Sequence, residues 1–302
     1  MVKKNTPHKA GYVSIIGYPN VGKSTIMNAL VGEKLSVITH KAQTTRHRIM
    51  GIFSTDDYQI VYSDTPGIIK PHYKLHRAMM SAVFAALDDA DVVMLVTEAG
   101  NEFNQEEILK KLKESTRPVI VVINKIDLGD MPQLEAEVEK WKNILENATV
   151  LPVSALHHLN LDQVMKSIIH YLPESPPFYP KDELTDRSER FFVSEIIREK
   201  ILLNYSQEVP YSAEVVVDSF KEEEKLTRIA AVIYIARETQ KGILLGHQGS
   251  AIKKLGTDAR KDIEAFLDKH IFLELHVKVA KDWREDDRAL RRFGYSEEKQ
   301  SL

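Results

Sequence analysis

Short continuous apolar runs alternate with longer stretches whose apolar residues recur at helical spacing through the first half of the chain. Tyr12–Gly17 passes directly into a glycine-rich turn and then into a helical pattern over Ser24–Val31. Further apolar runs lie at Gln59–Tyr62, Val92–Val96, Val119–Ile123 and Thr149–Val153. Helical patterns over His76–Leu87, Asn104–Ser115 and Gln133–Leu145 separate them, and a last one covers Leu161–Tyr171. Continuously apolar strands alternating with helices predict a mostly parallel sheet covered on both faces, a doubly wound α/β domain.

The proline cluster Pro173, Pro176, Pro177 and Pro180, with Ser175 and Asp182, breaks this pattern and predicts a linker. Beyond it a helix is expected over Arg187–Asn204. Then come β-type runs at Ala213–Val217 and Ile229–Ile235, joined through the acidic turn Glu222–Glu224. A helix over Ser250–Leu267 and an alternating strand over Ile271–Val279 complete a small α+β domain. The expected boundaries are 1–10 for an N-terminal extension, 11–173 for the first domain, 174–187 for the linker and 188–281 for the second domain. Residues 282–302 are expected to form a polar C-terminal segment with a short helix and a loose tail.

A length of 302 residues agrees with two domains of roughly 150 residues each. With 43% hydrophobic and 28% charged residues the composition is that of an ordinary globular protein, so disorder is not expected. There is no cysteine, which excludes disulfides, thiolate catalysis and cysteine-ligated zinc, and fits a reducing compartment. Lys3, Lys4 and Lys9 are not followed by a signal-peptide core, and the apolar runs are too short to span a bilayer. A cytoplasmic protein is expected. The net charge of -3 argues against a basic coat over the whole surface but leaves room for a local basic site.

Gly17-Tyr18-Pro19-Asn20-Val21-Gly22-Lys23-Ser24 fits the phosphate-loop pattern G-x-x-x-x-G-K-[ST] between a predicted strand and a predicted helix, with Thr25 in the first turn. Such a loop turns backbone N–H groups and a helix N-terminus towards phosphates; Lys23 would reach them and Ser24 would ligate Mg²⁺. Asp64-Thr65-Pro66-Gly67, followed by Ile68, ends the Gln59–Tyr62 run. There a carboxylate can hold Mg²⁺ through water and the Gly67 backbone can approach a γ-phosphate. Asn124-Lys125-Ile126-Asp127 follows Val119–Ile123; a carboxylate at Asp127 would accept from guanine N1 and N2 and meet a mismatched edge in adenine. Ser154-Ala155 would place a backbone N–H on guanine O6. Between the first two motifs, the polar basic segment His40–Arg48 contains Thr44 and Thr45 and suits a loop that orders when a threonine hydroxyl closes on Mg²⁺. Thr45 is preferred over Thr44.

In the second half, Gly246-His247-Gln248-Gly249 leads into Ser250, Ile252, Lys253 and Lys254. Backbone N–H groups of such a G-x-x-G loop can press on a single-stranded nucleic-acid backbone while an apolar groove takes bases. From Arg237 to Lys261, six basic residues face two acidic ones, a local excess that predicts salt-sensitive RNA binding. Phe178, Tyr179, Trp283 and Phe293 could stack on bases or pack against the domains, the latter being preferred for most. Arg284, Arg288, Arg291 and Arg292 are balanced by Glu285, Asp286 and Asp287, as on a mixed-charge surface.

Taken together, G-Y-P-N-V-G-K-S, K-A-Q-T-T-R-H-R, D-T-P-G, N-K-I-D and S-A resemble the Era family of bacterial ribosome-assembly GTPases, and the resemblance spans essentially the whole chain. It implies a P-loop GTPase domain of mostly parallel sheet followed by a type II KH domain. It implies hydrolysis of GTP to GDP with Mg²⁺, catalytic parts at Lys23, Thr45 and Gly67, and binding to the 3′ end of small-subunit ribosomal RNA during assembly of the small ribosomal subunit. A monomer is expected, and relatives associate peripherally with the inner membrane. In related GTPases the asparagine at the position of Asn20 helps hold K⁺ beside the phosphates; otherwise Asn20 supports the loop geometry. Two departures stand out. Ile68 occupies the position of a water-orienting Gln in Ras-like GTPases, so slow turnover is expected, and His247-Gln248 lack the basic residue common inside the loop, which shifts weight to Lys253 and Lys254. A signalling or trafficking GTPase with a protein-binding second domain, and an ATP-dependent kinase, are the alternatives; N-K-I-D speaks against the kinase.

Overall fold

The computed structural model describes residues 7–295. The first six and last seven residues of the expected terminal segments lie outside the described residues. Six strands, β1 (Lys9–Gly17), β2 (Ile49–Ser54), β3 (Tyr58–Asp64), β4 (Val92–Glu98), β5 (Val119–Asn124) and β6 (Thr149–Pro152), form one sheet in the order β2-β3-β1-β4-β5-β6. All neighbours run parallel except β2 and β3, an antiparallel edge pair. Strand order reverses on either side of β1, and the crevice outside the carboxyl ends at such a switch point is where open α/β sheets bind ligands.

Helices α1 (Lys23–Val31), α2 (Lys74–Asp89), α3 (Glu106–Glu114), α4 (Met131–Ile144) and α5 (Leu161–Tyr171) cover the sheet. Alternate strand residues feed two cores, as a strand's period of two requires. Val13, Ile15, Val92, Met94 and Val96 pack on Ile26 and Met27 of α1 and Val164 and Ile168 of α5. Ile16, Val93, Leu95 and Val121 pack on Val83 of α2, Ile108 of α3 and Trp141 of α4 on the other side.

The second domain runs α6 (Glu189–Asn204), α7 (Val209–Ser212), β7 (Glu214–Glu222), β8 (Thr227–Ile235), α8 (Glu238–Leu245), α9 (Ser250–Leu267) and β9 (Ile271–Val279). β7 and β8 are antiparallel and β9 joins β8 in parallel. Leaving aside the single turn of α7, the order αββααβ with a mixed three-stranded sheet is the type II KH arrangement.

Two terminal expectations are corrected, and two internal segments are tightly held. Lys9 and Ala10 belong to β1, paired with Tyr58 and Gln59, and the Lys9 ammonium donates to the carbonyl of Ile169 at 2.8 Å. The first domain therefore begins inside the expected extension, because a ladder continues past the point where apolar residues stop. The linker is held against the first domain: Gln59 bonds the backbone of Phe178 and Tyr179, and Ile52 of β2 donates to Leu184 O at 2.8 Å. The C-terminal segment is not a loose tail over residues 282–295. Trp283 is fully buried, donates to Ser212 O at 2.8 Å, and shares a cluster with Leu290 of α10 (Asp287–Arg292), Phe293 and Tyr295. Leu75 and Met79 of α2 join that cluster, so the segment staples the KH domain to the GTPase domain. Finally, Arg46 in the polar basic stretch is buried, 1% exposed.

Candidate nucleotide and nucleic-acid sites

β1 stops where Gly17 opens the phosphate loop, and α1 begins at Lys23. A cavity of about 500 Å³ lies at this switch point. Pro19, Asn20, Gly22, Lys23, Ser24 and Thr25 line one side, Thr44, Thr45 and Gly67 another, and Asn124, Lys125, Asp127 and Ala155 the far end. Four separate motifs, from β1, β3, β5 and β6, thus converge on one space.

The Lys23 ammonium is buried and donates to Gly17 O at 3.1 Å and Tyr18 O at 2.8 Å. Burial lowers its pKa to about 8, against a smaller upward pull from Asp64. A bound phosphate favours the charged ammonium, so the nucleotide complex retains a proton that the free protein releases above about pH 8. By linkage, affinity must fall as pH rises through that value. The Kd for GDP is expected to be roughly tenfold higher at pH 9 than at pH 7; equal affinities in a fluorescent-GDP titration would refute this.

Ser24 Oγ donates to Asp64 Oδ2 at 2.6 Å and lies 3.1 Å from Thr45 Oγ1, which in turn is 3.5 Å from Asp64 Oδ2. The second Asp64 oxygen is buried with no hydrogen-bond partner. Burial raises the Asp64 carboxyl, with Lys23 and the hydroxyls of Ser24, Ser36 and Thr45 opposing. An orphaned carboxylate oxygen beside two hydroxyls is an all-oxygen donor set that suits a hard divalent cation such as Mg²⁺. The structure separates the two threonines: Thr44 Oγ1 donates to Lys41 O at 2.6 Å and bonds Thr39, away from Asp64.

Gly67 faces the loop so closely that a Cβ would fall 2.7 to 2.9 Å from Pro19. Ile68 N donates to Gly17 O at 3.0 Å while its side chain packs with Ile16 and Val83 in the core. Thr65 Oγ1 donates to Ile15 O at 2.8 Å. Asp64, Thr65, Pro66 and Ile68 thus support the cavity without lining it, as do Gly17, Val21 and Ser154. Tyr18 is also outside: its hydroxyl accepts from Asn104 N at 3.0 Å and its ring packs on Phe103. Tyr18 serves the site through its backbone carbonyl, which orients Lys23.

At the base end, Asn124 Nδ2 donates to Val21 O at 2.8 Å, tying the two loops together. Ala155 N donates to Asn124 Oδ1 at 2.9 Å and Ser154 N to Leu159 O at 3.2 Å. The N–H groups of both Ser154 and Ala155 are engaged within the protein, so a base must share Ala155 N–H with Asn124. Ser154 Oγ donates to Asp127 Oδ1 at 2.5 Å, and this bond holds the Asp127 carboxyl below its ordinary range. Lys125 pairs with Glu98 at 2.5 Å, which spreads its stem along the cavity. Asn20 has φ 65° and donates to His40 O at 3.0 Å, which serves the loop geometry.

In the KH domain, Gly246 and Gly249 have φ of 71° and 77°, and a Cβ on Gly246 would sit 2.6 Å from that of Ala251. The loop and α9 are therefore welded by a contact only glycine allows. His247, Gln248, Ser250, Lys253 and Lys254 are exposed, Ile252 is half-buried, and Ile243 of α8 is 51% exposed beside the loop. α8 escaped the sequence analysis; its glycine and short apolar stretch gave no helical period. Trp283 and Phe293 are buried in the tail cluster and unavailable for stacking, whereas Phe178 is exposed and stacks on Tyr12 with centroids 5.2 Å apart.

Residues 12–125 match the family described as 50S ribosome-binding GTPase, and residues 208–284 match the KH domain family. The chain is thus a GTPase with an appended KH domain. GTPase Era of Syntrophus aciditrophicus (strain SB) is 47% identical over 293 residues, 96% of either chain. A crystal structure of an Aquifex aeolicus Era variant bound to GDP·AlF₄⁻ is similar at a TM-score of 0.91 and 38% identity, covering 95% of this chain and 99% of that one. A structure of Era with MgGDPNP and nucleotides 1506–1542 of 16S ribosomal RNA is similar at the same score and identity, covering 96% and 99%. The chain belongs to the Era family of GTPases.

Proposed function

We propose that the chain is a GTP-gated clamp for the single-stranded 3′ end of small-subunit ribosomal RNA, acting in assembly of the small ribosomal subunit. The observation that carries this is an exposed G-x-x-G loop followed by Lys253 and Lys254, in a chain alike over nearly its whole length to an Era bound to that RNA. Ser24, Thr45 and Asp64 hold Mg²⁺, which shields phosphate charge when bound. Lys23 neutralises the transferring phosphoryl group, the Gly67 backbone approaches it, and Asp127 selects guanine. With the Ile68 side chain in the core, no general base occupies the turn after Gly67, so turnover is slow. Asn20 also offers its amide oxygen to K⁺ beside the phosphates; equal hydrolysis rates in potassium and sodium salts would remove that ion. The chain works as a monomer in the cytoplasm, with peripheral contact to the membrane; among the described residues no helix is long and apolar enough to cross one.

The test is the affinity for a short RNA matching the small-subunit 3′ end, at fixed salt, with GDP or a non-hydrolysable GTP analogue. Tighter binding with the analogue is expected. Neutralising Lys253 and Lys254 should flatten the slope of log K against log salt by about 1.4, since each single-strand phosphate contact contributes about 0.7. No binding in either state would sink the proposal and favour a protein-binding second domain.

A further inference from the structure

Thr45 sits in a loop whose neighbours on both sides are held by the other domain. Arg198 of α6, 1% exposed, donates to Gln43 O at 3.2 Å and to Thr44 O, the two carbonyls that precede Thr45. On the following side Arg46 enters the KH domain, donating to Ala213 O at 2.7 Å, Tyr211 O at 3.1 Å, Pro210 O at 3.3 Å and the Glu214 carboxylate at 3.1 Å. Next to it His47 stacks on Tyr295 with centroids 4.3 Å apart. The guanidinium of Arg198 is itself oriented by Glu195 one turn earlier, Nε to Oε1 at 2.8 Å. Burial would raise the Glu195 carboxyl, and Arg198 overrides it, so the pair stays ionised.

We infer that Arg198, a KH-domain residue, is a positioning residue for GTP hydrolysis: its planar fork fixes the backbone at Gln43 and Thr44 and thereby sets the Thr45 hydroxyl against Ser24 and Asp64. A fork with two parallel donors suits two successive carbonyls in a way a point charge cannot. Arg46 on the other side makes the hold a bracket, so Thr45 reaches its partners only while α6 lies where it does here. Docking of the KH domain is then part of the hydrolytic site, and whatever moves α6 loosens Thr45 without touching the phosphate loop.

This rests on the proposed role of Thr45, so Thr45→Ala accompanies the test. In the full chain, Arg198→Lys keeps a charge for Glu195, and Glu195→Gln with Arg198→Gln removes the buried pair together. At saturating GTP both are expected to slow single-turnover hydrolysis, the double variant by about tenfold to a hundredfold and the lysine variant by less, a range set by small misplacements of catalytic groups. The Mg²⁺ concentration for half-maximal rate should rise severalfold, while GDP affinity, which needs no Thr45, stays within twofold. Three outcomes overturn the inference. In one, rate and Mg²⁺ midpoint stay within twofold although Thr45→Ala is slow. In another, GDP affinity falls along with the rate, which would mark a role in folding only. In the third, Thr45→Ala is itself silent, which removes the proposed role of Thr45 as well.

Discussion

Replacing Thr45 with alanine is expected to slow GTP hydrolysis by about two to three orders of magnitude, the usual effect of deleting one group that stabilises transition-state charge. GDP binding should stay within about twofold. The Thr45 hydroxyl is 3.1 Å from Ser24 Oγ and 3.5 Å from Asp64 Oδ2, so it completes an oxygen cluster on the carboxylate whose other oxygen has no hydrogen-bond partner. GDP leaves the γ-phosphate position empty and draws its affinity from the phosphate loop and the base end, neither of which contains Thr45. Thr45→Ser keeps the hydroxyl and should recover most of the rate. Thr44→Ala is the internal control: its hydroxyl serves Lys41 O and Thr39, and its loss should cost less than tenfold. A Thr44 variant slower than the Thr45 variant would assign the ligand to the wrong neighbour.

The same loop shows what the sequence could and could not disclose. The placement of Thr45 beside Ser24 and Asp64 was legible because two adjacent threonines in a polar segment between a phosphate loop and D-T-P-G have few other uses. Arg46 and His47 read only as members of a polar basic loop, since their partners, Glu214 and Tyr295, lie far along the chain. No local period encodes a contact at that separation. Arg198 was hidden for the same reason: within Glu189–Asn204 it looks like one of several charges on a helix face, yet it is buried with Glu195 between the domains.

Where a single segment carried the whole signal, the sequence sufficed. α9 and β9 occupy the spans their apolar periods predict, Ser250–Leu267 and Ile271–Val279. β2 was missed because Ile49–Ser54 includes a glycine and forms an edge strand with half-exposed positions. The C-terminal segment misled through composition: its arginines and carboxylates mask Trp283, Leu290, Phe293 and Tyr295, all buried against both domains. Of the nucleotide site, the residues were readable and their division into lining and support was not, because Ile68 and Tyr18 turn their side chains away from the cavity that their backbones help to build.

Asp127→Asn is expected to weaken GTP and GDP binding by about a hundredfold and to transfer preference to xanthine nucleotides. Guanine presents two donors, N1–H and the N2 amino group, and an ionised carboxylate supplies two acceptors. The Ser154 hydroxyl donates to one Asp127 oxygen, which lowers the carboxyl's pKa and fixes its orientation before the base arrives. An asparagine offers one acceptor and one donor. Against guanine its NH₂ meets the N2 amino group, donor against donor, and the bond is lost on both sides. Xanthine carries a carbonyl where guanine has that amine, so it restores two hydrogen bonds to the same side chain. The phosphate loop and Mg²⁺ cluster are untouched by the exchange, and the variant should hydrolyse xanthosine triphosphate at close to the parental rate for GTP. The measurement is competition between the two triphosphates for each protein. A variant that loses GTP without gaining the xanthine nucleotide would show that Asp127 supports the Ser154 turn rather than reading the base.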